Sequence, residues 1–115
     1  MPPRTLLVAL ALTFAPAGAQ AECQRVFFQP GAYSAQVWTT SYNALVECFF
    51  LDVRPGQAAH VRILQGADTT FETPETGPDQ IDTQYTLTSR FMEVYLHKTH
   101  PYPDREPVLI EFSVW

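Results

Sequence analysis

Positive charge is what this chain has least of: seven Lys and Arg stand against twelve Asp and Glu, for a formal net charge of −5. Nucleic acid and anionic membrane surfaces both select a basic face. Neither is expected as a partner, whereas encounter with a basic protein is favoured. Helical periodicity is also missing, because no window carries an apolar stripe of about ten residues or more. No internal repeat or low-complexity tract stands out. Ser89 lacks the G-x-S-x-G setting of a nucleophile elbow. His97 and His100 stand three apart, but no Cys or further His joins them at a zinc-binding spacing. Acidic residues are plentiful, yet nothing singles out a pair set across a cleft as a glycosidase needs. The sequence therefore reads as that of a non-enzyme with no cofactor and no metal.

Cysteine is scarce as well, with Cys23 and Cys48 the only two. Their compartment follows from the N-terminus. Arg4 supplies one positive charge, residues 5–15 are an apolar run of about ten, and Ala17-Gly18-Ala19 and Ala19-Gln20-Ala21 offer small-residue cleavage signals. Such a run falls short of the roughly 20 apolar residues that span a bilayer. It reads as a signal peptide over 1–21 rather than a buried N-terminal helix, which implies a periplasmic or secreted product. No Cys sits directly at the cleavage point, so a free product is expected in place of a lipid-anchored one, with no membrane insertion after cleavage. In an oxidising compartment the simplest fate of two cysteines is to pair. Closing a loop of about 25 residues stabilises by roughly 3 kcal/mol on the chain-entropy model. A reactive or metal-binding thiol is the alternative.

What remains, residues 22–115, is one small domain by size. Pro and Gly punctuate it about every ten residues, a rhythm that suits short strands. Strands are expected at 25–28, 34–39, 45–53, 58–65, 69–72, 84–88, 91–97 and 108–114. Alternation is cleanest in the last two: Met92, Val94 and Leu96 face in while Glu93 and Tyr95 face out, and Val108, Ile110, Phe112 and Val114 face in. Phe50 and Leu51 lie in the longest apolar run, as in a central strand buried on both faces. Seven or eight short strands with turns between them predict an all-β fold, an antiparallel β-sandwich of jelly-roll or immunoglobulin-like type.

Two segments read as long loops, 73–80 (TPETGPDQ) and 98–107 (KTHPYPDREP). Loops on a rigid sandwich are where binding residues tend to sit, although both also suit plain connections stiffened by proline. Between Arg62 and Arg90 there is no Lys or Arg, but Asp68, Glu72, Glu75, Asp79 and Asp82 all fall there. The spacing lacks the tight alternation of a calcium loop and reads as a solvated acidic face. Most of the aromatic residues are core by position; Tyr42, Tyr95 and Tyr102 are the candidates for exposure as interface anchors, or as a surface for stacking carbohydrate.

Three stretches carry a family resemblance. Val26-Phe27-Phe28-Gln29-Pro30-Gly31-Ala32-Tyr33-Ser34-Ala35-Gln36-Val37, the 49–53 strand, and Pro55-Gly56-Gln57-Ala58-Ala59-His60-Val61-Arg62-Ile63 resemble the start of the bacterial pre-peptidase C-terminal-like (PPC-like) β-sandwich. Within that group they look most like the periplasmic inhibitors of g-type lysozyme. Gln84-Tyr85-Thr86-Leu87-Thr88-Ser89, then Glu93-Val94 and a final apolar strand, is similar to the second half of that family. The resemblance implies a protein that enters a lysozyme cleft with its loops. A cleft lined by carboxylates accepts polar and basic groups, while the acidic remainder steers toward a basic enzyme.

In those inhibitors a Ser-Gly-x-Tyr motif before the penultimate strand helps form the entering element. The corresponding stretch here is Ser89-Arg90-Phe91-Met92: Ser89 matches, Arg90 replaces the glycine and Met92 the tyrosine. A turn needing glycine at positive φ does not accept Arg cheaply, so a differently shaped loop is expected. The partner-binding residues implied are Ser89 and Arg90, joined by Lys98 and Arg105 from the neighbouring loop. The same resemblance also fits a non-catalytic PPC-like module that binds envelope glycan or another envelope protein.

Overall fold

The structure is a computed structural model and describes residues 23–115; the leader expected over 1–21 lies outside them. Nine strands are found among the described residues: β1 (Cys23–Arg25), β2 (Ser34–Tyr42), β3 (Glu47–Asp52), β4 (Ala58–Gln65), β5 (Thr69–Thr73), β6 (Gly77–Gln80), β7 (Asp82–Thr86), β8 (Phe91–Lys98) and β9 (Arg105–Val114). They form two sheets, β1-β3-β8-β5-β6 and β2-β9-β4-β7. Every neighbouring pair is antiparallel except β1–β3. The expected antiparallel sandwich is thus present, with one parallel edge and more strands than the seven or eight read from the sequence.

Period-two alternation builds the core. Phe49, Leu51, Phe71, Met92, Val94 and Leu96 come inward from the first sheet and meet Ala59, Val61, Val108, Ile110 and Phe112 from the second. The rings of Phe49 and Phe112 bridge the sheets with centroids 5.4 Å apart in a tilted contact, a geometry favoured by the ring quadrupoles. The outward residues of β8 and β9 are half-buried or exposed, as the alternation predicts. On the outer face of the second sheet, Glu111 accepts from Gln36 at 3.1 Å and from Arg62 at 2.6 Å. These two donors, Gln36 foremost, hold its carboxyl below the ordinary Glu range by favouring the charged form.

Several expectations shift. The first strand is 23–25 rather than 25–28, because the chain leaves the sheet after Val26 N–H donates to the Phe50 carbonyl at 3.0 Å. Residues 73–80 are not a loop: β6 pairs with β5, and Gly77-Pro78-Asp79-Gln80 forms an edge strand whose sequence has no β signature. Phe50 is not buried on both faces. Its outer side is half-covered by the Arg25 guanidinium, 4.5 Å from the ring centroid, and by Phe91 edge-on. Among the described aromatics only Phe49, Phe71 and Phe112 are fully buried, while Phe27, Tyr33, Trp38, Phe91 and Trp115 are exposed beside Tyr102. The expectation that most aromatics are core was too generous, since strand ends and turns place them outside the inward phase. Cys23 and Cys48 are direct neighbours across β1–β3, Cα atoms 4.4 Å apart, and form the expected disulfide.

Candidate functional site

The sandwich has two ends of different build. One holds the β3–β4 and β7–β8 connections, the segment before β2 and the end of β9. We call it the turn end. Two proline–glycine turns frame it. In Gln29-Pro30-Gly31-Ala32 the Ala32 N–H donates to the Gln29 carbonyl at 2.9 Å, and in Arg54-Pro55-Gly56-Gln57 the Gln57 N–H donates to the Arg54 carbonyl at 3.2 Å. Gly31 and Gly56 have φ of 81° and 94°. Pro at the second position and a positive-φ Gly at the third are the signature of a type II turn, whose geometry a side chain at the third position would strain. The Gln57 side chain tightens the second turn by accepting from the Arg54 N–H at 2.7 Å.

This turn is joined to the β7–β8 connection. Gly56 N–H donates to the Leu87 carbonyl, Leu87 N–H to the Gln57 carbonyl, both at 2.8 Å, and Val53 N–H to the Arg90 carbonyl at 2.9 Å. Leu87 is buried and pins the connection to the core. Glu75, from the β5–β6 hairpin, accepts from the Thr88 N–H and hydroxyl at 3.2 and 3.1 Å. Beneath this, the Tyr85 hydroxyl is buried; burial first, and the charge of Glu75 second, push its pKa well above the usual phenol range.

Ser89 sits at the exposed tip. Its hydroxyl donates to the Phe91 carbonyl at 2.7 Å and accepts from the Phe91 N–H at 3.3 Å, so it closes its own turn. Arg90 follows, exposed, and does not adopt the glycine conformation: Asp79 is the one positive-φ non-glycine residue among those described. The loop therefore turns by the serine side chain where a Ser-Gly-x-Tyr loop has its glycine. Neither Arg90 nor Arg54 has a side-chain partner among the described residues, whereas Arg25 is ion-paired to Asp52 and Arg62 to Glu111.

Lys98 and Arg105 are not brought to this site. They end β8 and begin β9 at the opposite, loop end, where Lys98 donates to the His100 carbonyl at 3.0 Å and Arg105 is paired in register with Tyr42. Eight residues of strand separate Arg90 from Lys98, about 26 Å at the usual rise per residue. The four expected residues do not form one cluster, because β8 separates Ser89 and Arg90 from Lys98 and Arg105. The turn end also carries residues that the sequence reading did not select. Tyr33 and Trp115 share a pocket of about 400 Å³ with Phe28, Asp52, Arg54 and Gln57. The Pro-Gly pairs beside Tyr33 and Arg54 were the available signal, since each predicts a fixed turn that presents its flanking side chains.

No family model matches the sequence, and no curated protein does. Solved structures do share its fold. The chain is similar to PliG of Aeromonas hydrophila, a periplasmic inhibitor of g-type lysozyme, with a TM-score of 0.67 and 18% identity over 84% of this chain and 98% of that one. PliG of Salmonella Typhimurium gives a TM-score of 0.65 and 20% identity over 84% of this chain and all of the other. The pre-peptidase C-terminal domain of a Bacillus anthracis collagenase gives 0.52 and 11% over 86% of this chain. This chain has the β-sandwich fold shared by the PliG inhibitors and the PPC domain.

Proposed function

We propose that this protein is a periplasmic or secreted inhibitor of a g-type lysozyme, and that it engages the enzyme's cleft with its turn end. The observation that carries the reading is the likeness of fold to two PliG inhibitors along 84% of this chain and nearly all of theirs. The chemistry of the turn end supports it. Arg90 and Arg54 are cations without side-chain partners among the described residues, on an acidic body, and a glycosidase cleft offers carboxylates to receive them. Charge-assisted bonds of Arg to carboxylate are among the stronger contacts a loop can make. Three backbone bonds hold the presenting turns, so little ordering entropy is lost on docking. Ser89 contributes by shaping the loop, and Arg90 by contact. Lys98 and Arg105 lie too far away to enter the same cleft.

The test is titration of the purified protein, without its leader, into g-type and c-type lysozyme assays, with binding followed in parallel. Inhibition of the g-type enzyme at about micromolar concentration is expected. No inhibition of either enzyme refutes the reading and leaves the PPC-like binding module, whose fold this chain also shares.

A further inference from the structure

The pocket at the turn end has a build of its own. Tyr33 and Trp115 are both well exposed, at 70% and 52%, and the backbone that presents each is fixed by pairing. The Tyr33 carbonyl accepts from Val114 N–H at 2.9 Å, and Trp115 exchanges two bonds with Ala58, at 3.0 and 2.9 Å. Phe28 and the buried Val114 complete the apolar lining, and the two Pro-Gly turns set the rim. An apolar pocket lined by aromatic rings with a few convergent polar groups is the usual build of a ligand site.

The polar atoms of the pocket decide what it takes. The Asp52 carboxylate is already paired with Arg25. The Gln57 side-chain oxygen is used by the Arg54 N–H, which leaves its NH₂ group as a donor. The Arg54 guanidinium has no partner among the described residues. The uncommitted donors are thus Arg54, with one full positive charge, and the Gln57 NH₂, beside two aromatic rings; the second oxygen of Asp52 remains an acceptor, which a sugar hydroxyl can meet. A ligand that satisfies both must pair an acceptor-rich, anionic group with a flat apolar face. A pyranose ring carrying a carboxylate does so: its axial C–H face stacks on an aromatic ring while its carboxylate meets Arg54 bidentately. A volume of about 400 Å³ lies at the lower end of ligand pockets and suits one or two sugar units.

We infer that the Tyr33–Trp115 pocket is a binding site for a carboxylated sugar, with the aromatic pair stacking on the ring and Arg54 and Gln57 holding the acid group. The site shares Arg54 and the turn end with the lysozyme reading but does not rest on it, and no lysozyme enters its test, so either can fail alone. The ¹⁵N-labelled protein would be titrated with N-acetylmuramic acid and glucuronic acid, with N-acetylglucosamine, glucose and acetate as controls. Both sugar acids are expected to bind at about millimolar Kd or tighter, with shifts centred on Tyr33, Gln57 and the Trp115 indole. Acetate and the neutral sugars are expected to bind at least about ten-fold more weakly.

Arg54→Gln should bring the sugar acids to the level of the neutral sugars. Trp115→Ala should abolish binding of all, and Trp115→Phe should restore part of it, since both variants keep the backbone bonds to Ala58. Absence of binding by either acid, shifts confined to another surface, acetate binding as tightly as the sugar acids, or an unchanged Kd in Arg54→Gln would each overturn the assignment.

Discussion

The two ends of this sandwich differ in how their connections are held. At the turn end three backbone bonds link the β3–β4 turn to the β7–β8 connection, and two arginines stand there without partners. At the loop end the long segment 99–104 is tied to the rest by Thr99 N–H to the Asp68 carbonyl and Asn43 N–H to the Asp104 carbonyl; several of its polar groups engage one another, while Arg105 has no side-chain partner among the described residues. Lys98 donates to His100, His100 lies 3.3 Å from Asp68, and Glu106 takes the Asp68 N–H and Thr69 hydroxyl. A preformed surface with uncommitted charge is what recognition requires, and the turn end combines two unpartnered arginines with three cross-turn backbone bonds. Proline-rich length, which made 98–107 look like the binding loop, is a poorer indicator than the bonding of the backbone beneath.

The sharpest way to break this contrast is to cut the turn end loose. Leu87→Ala removes a fully buried side chain whose own backbone carries two of the three cross-turn bonds, and should cost about 2–5 kcal/mol. Tyr102→Ala, 85% exposed at the loop end, should stay within about 0.5 kcal/mol. Urea unfolding of the two variants measures the difference.

Next comes the contrast in function. Arg90→Ala should weaken lysozyme inhibition about ten-fold or more, roughly 1.4 kcal/mol, whereas Lys98→Ala should leave it within about two-fold. Equal inhibition constants for both variants and the parent would dismiss Arg90 while leaving the function standing. Smaller still is Gly56→Ala, which has open space for its methyl but sits at φ 94°. It should cost about 1 kcal/mol through backbone strain, read as a lowered melting temperature.

The smallest effect lies on the outer sheet face, away from both ends. The folded-state pKa of Glu111 is depressed by Gln36 and Arg62, so its contribution is present above the ordinary value of 4.5 and is lost as pH falls through the folded value. Acid unfolding of Glu111→Gln should therefore show a shallower loss of stability below about pH 4.5 than the parent.

Much of this architecture is legible in the chain. The alternation of β8 and β9 predicts their inward sets residue by residue, and the 58–65 strand falls where its phase puts it. The apolar run into β3 gives the strand but not its outer face, because the half-cover on Phe50 comes from Arg25 of a strand too short to show a pattern. Residues 77–80 were unreadable for another reason: a strand containing Gly, Pro and a positive-φ Asp79 has no local preference for extension, and the open edge of β5 imposes it. At the candidate site Ser89 and Arg90 were found through a motif, while Tyr33, Trp115 and Arg54 were not, since they meet only when β2, β4 and β9 converge. Lys98 seemed close to Arg90 in sequence and is far in space because a strand, unlike a turn, separates its ends.

The parallel pairing of β1 with β3 has a consequence for aggregation. β1 is three residues long, at the short end of strand lengths, and the Cys23–Cys48 link fastens it to β3. With it attached, β3 is an interior strand. If the thiols were reduced and β1 came away, the Glu47–Asp52 strand, with Phe49, Phe50 and Leu51 at its centre, would present a row of open amides and carbonyls to other molecules, the template on which sheets add strands from a second chain. Oxidation thus guards this protein against self-association as well as against unfolding.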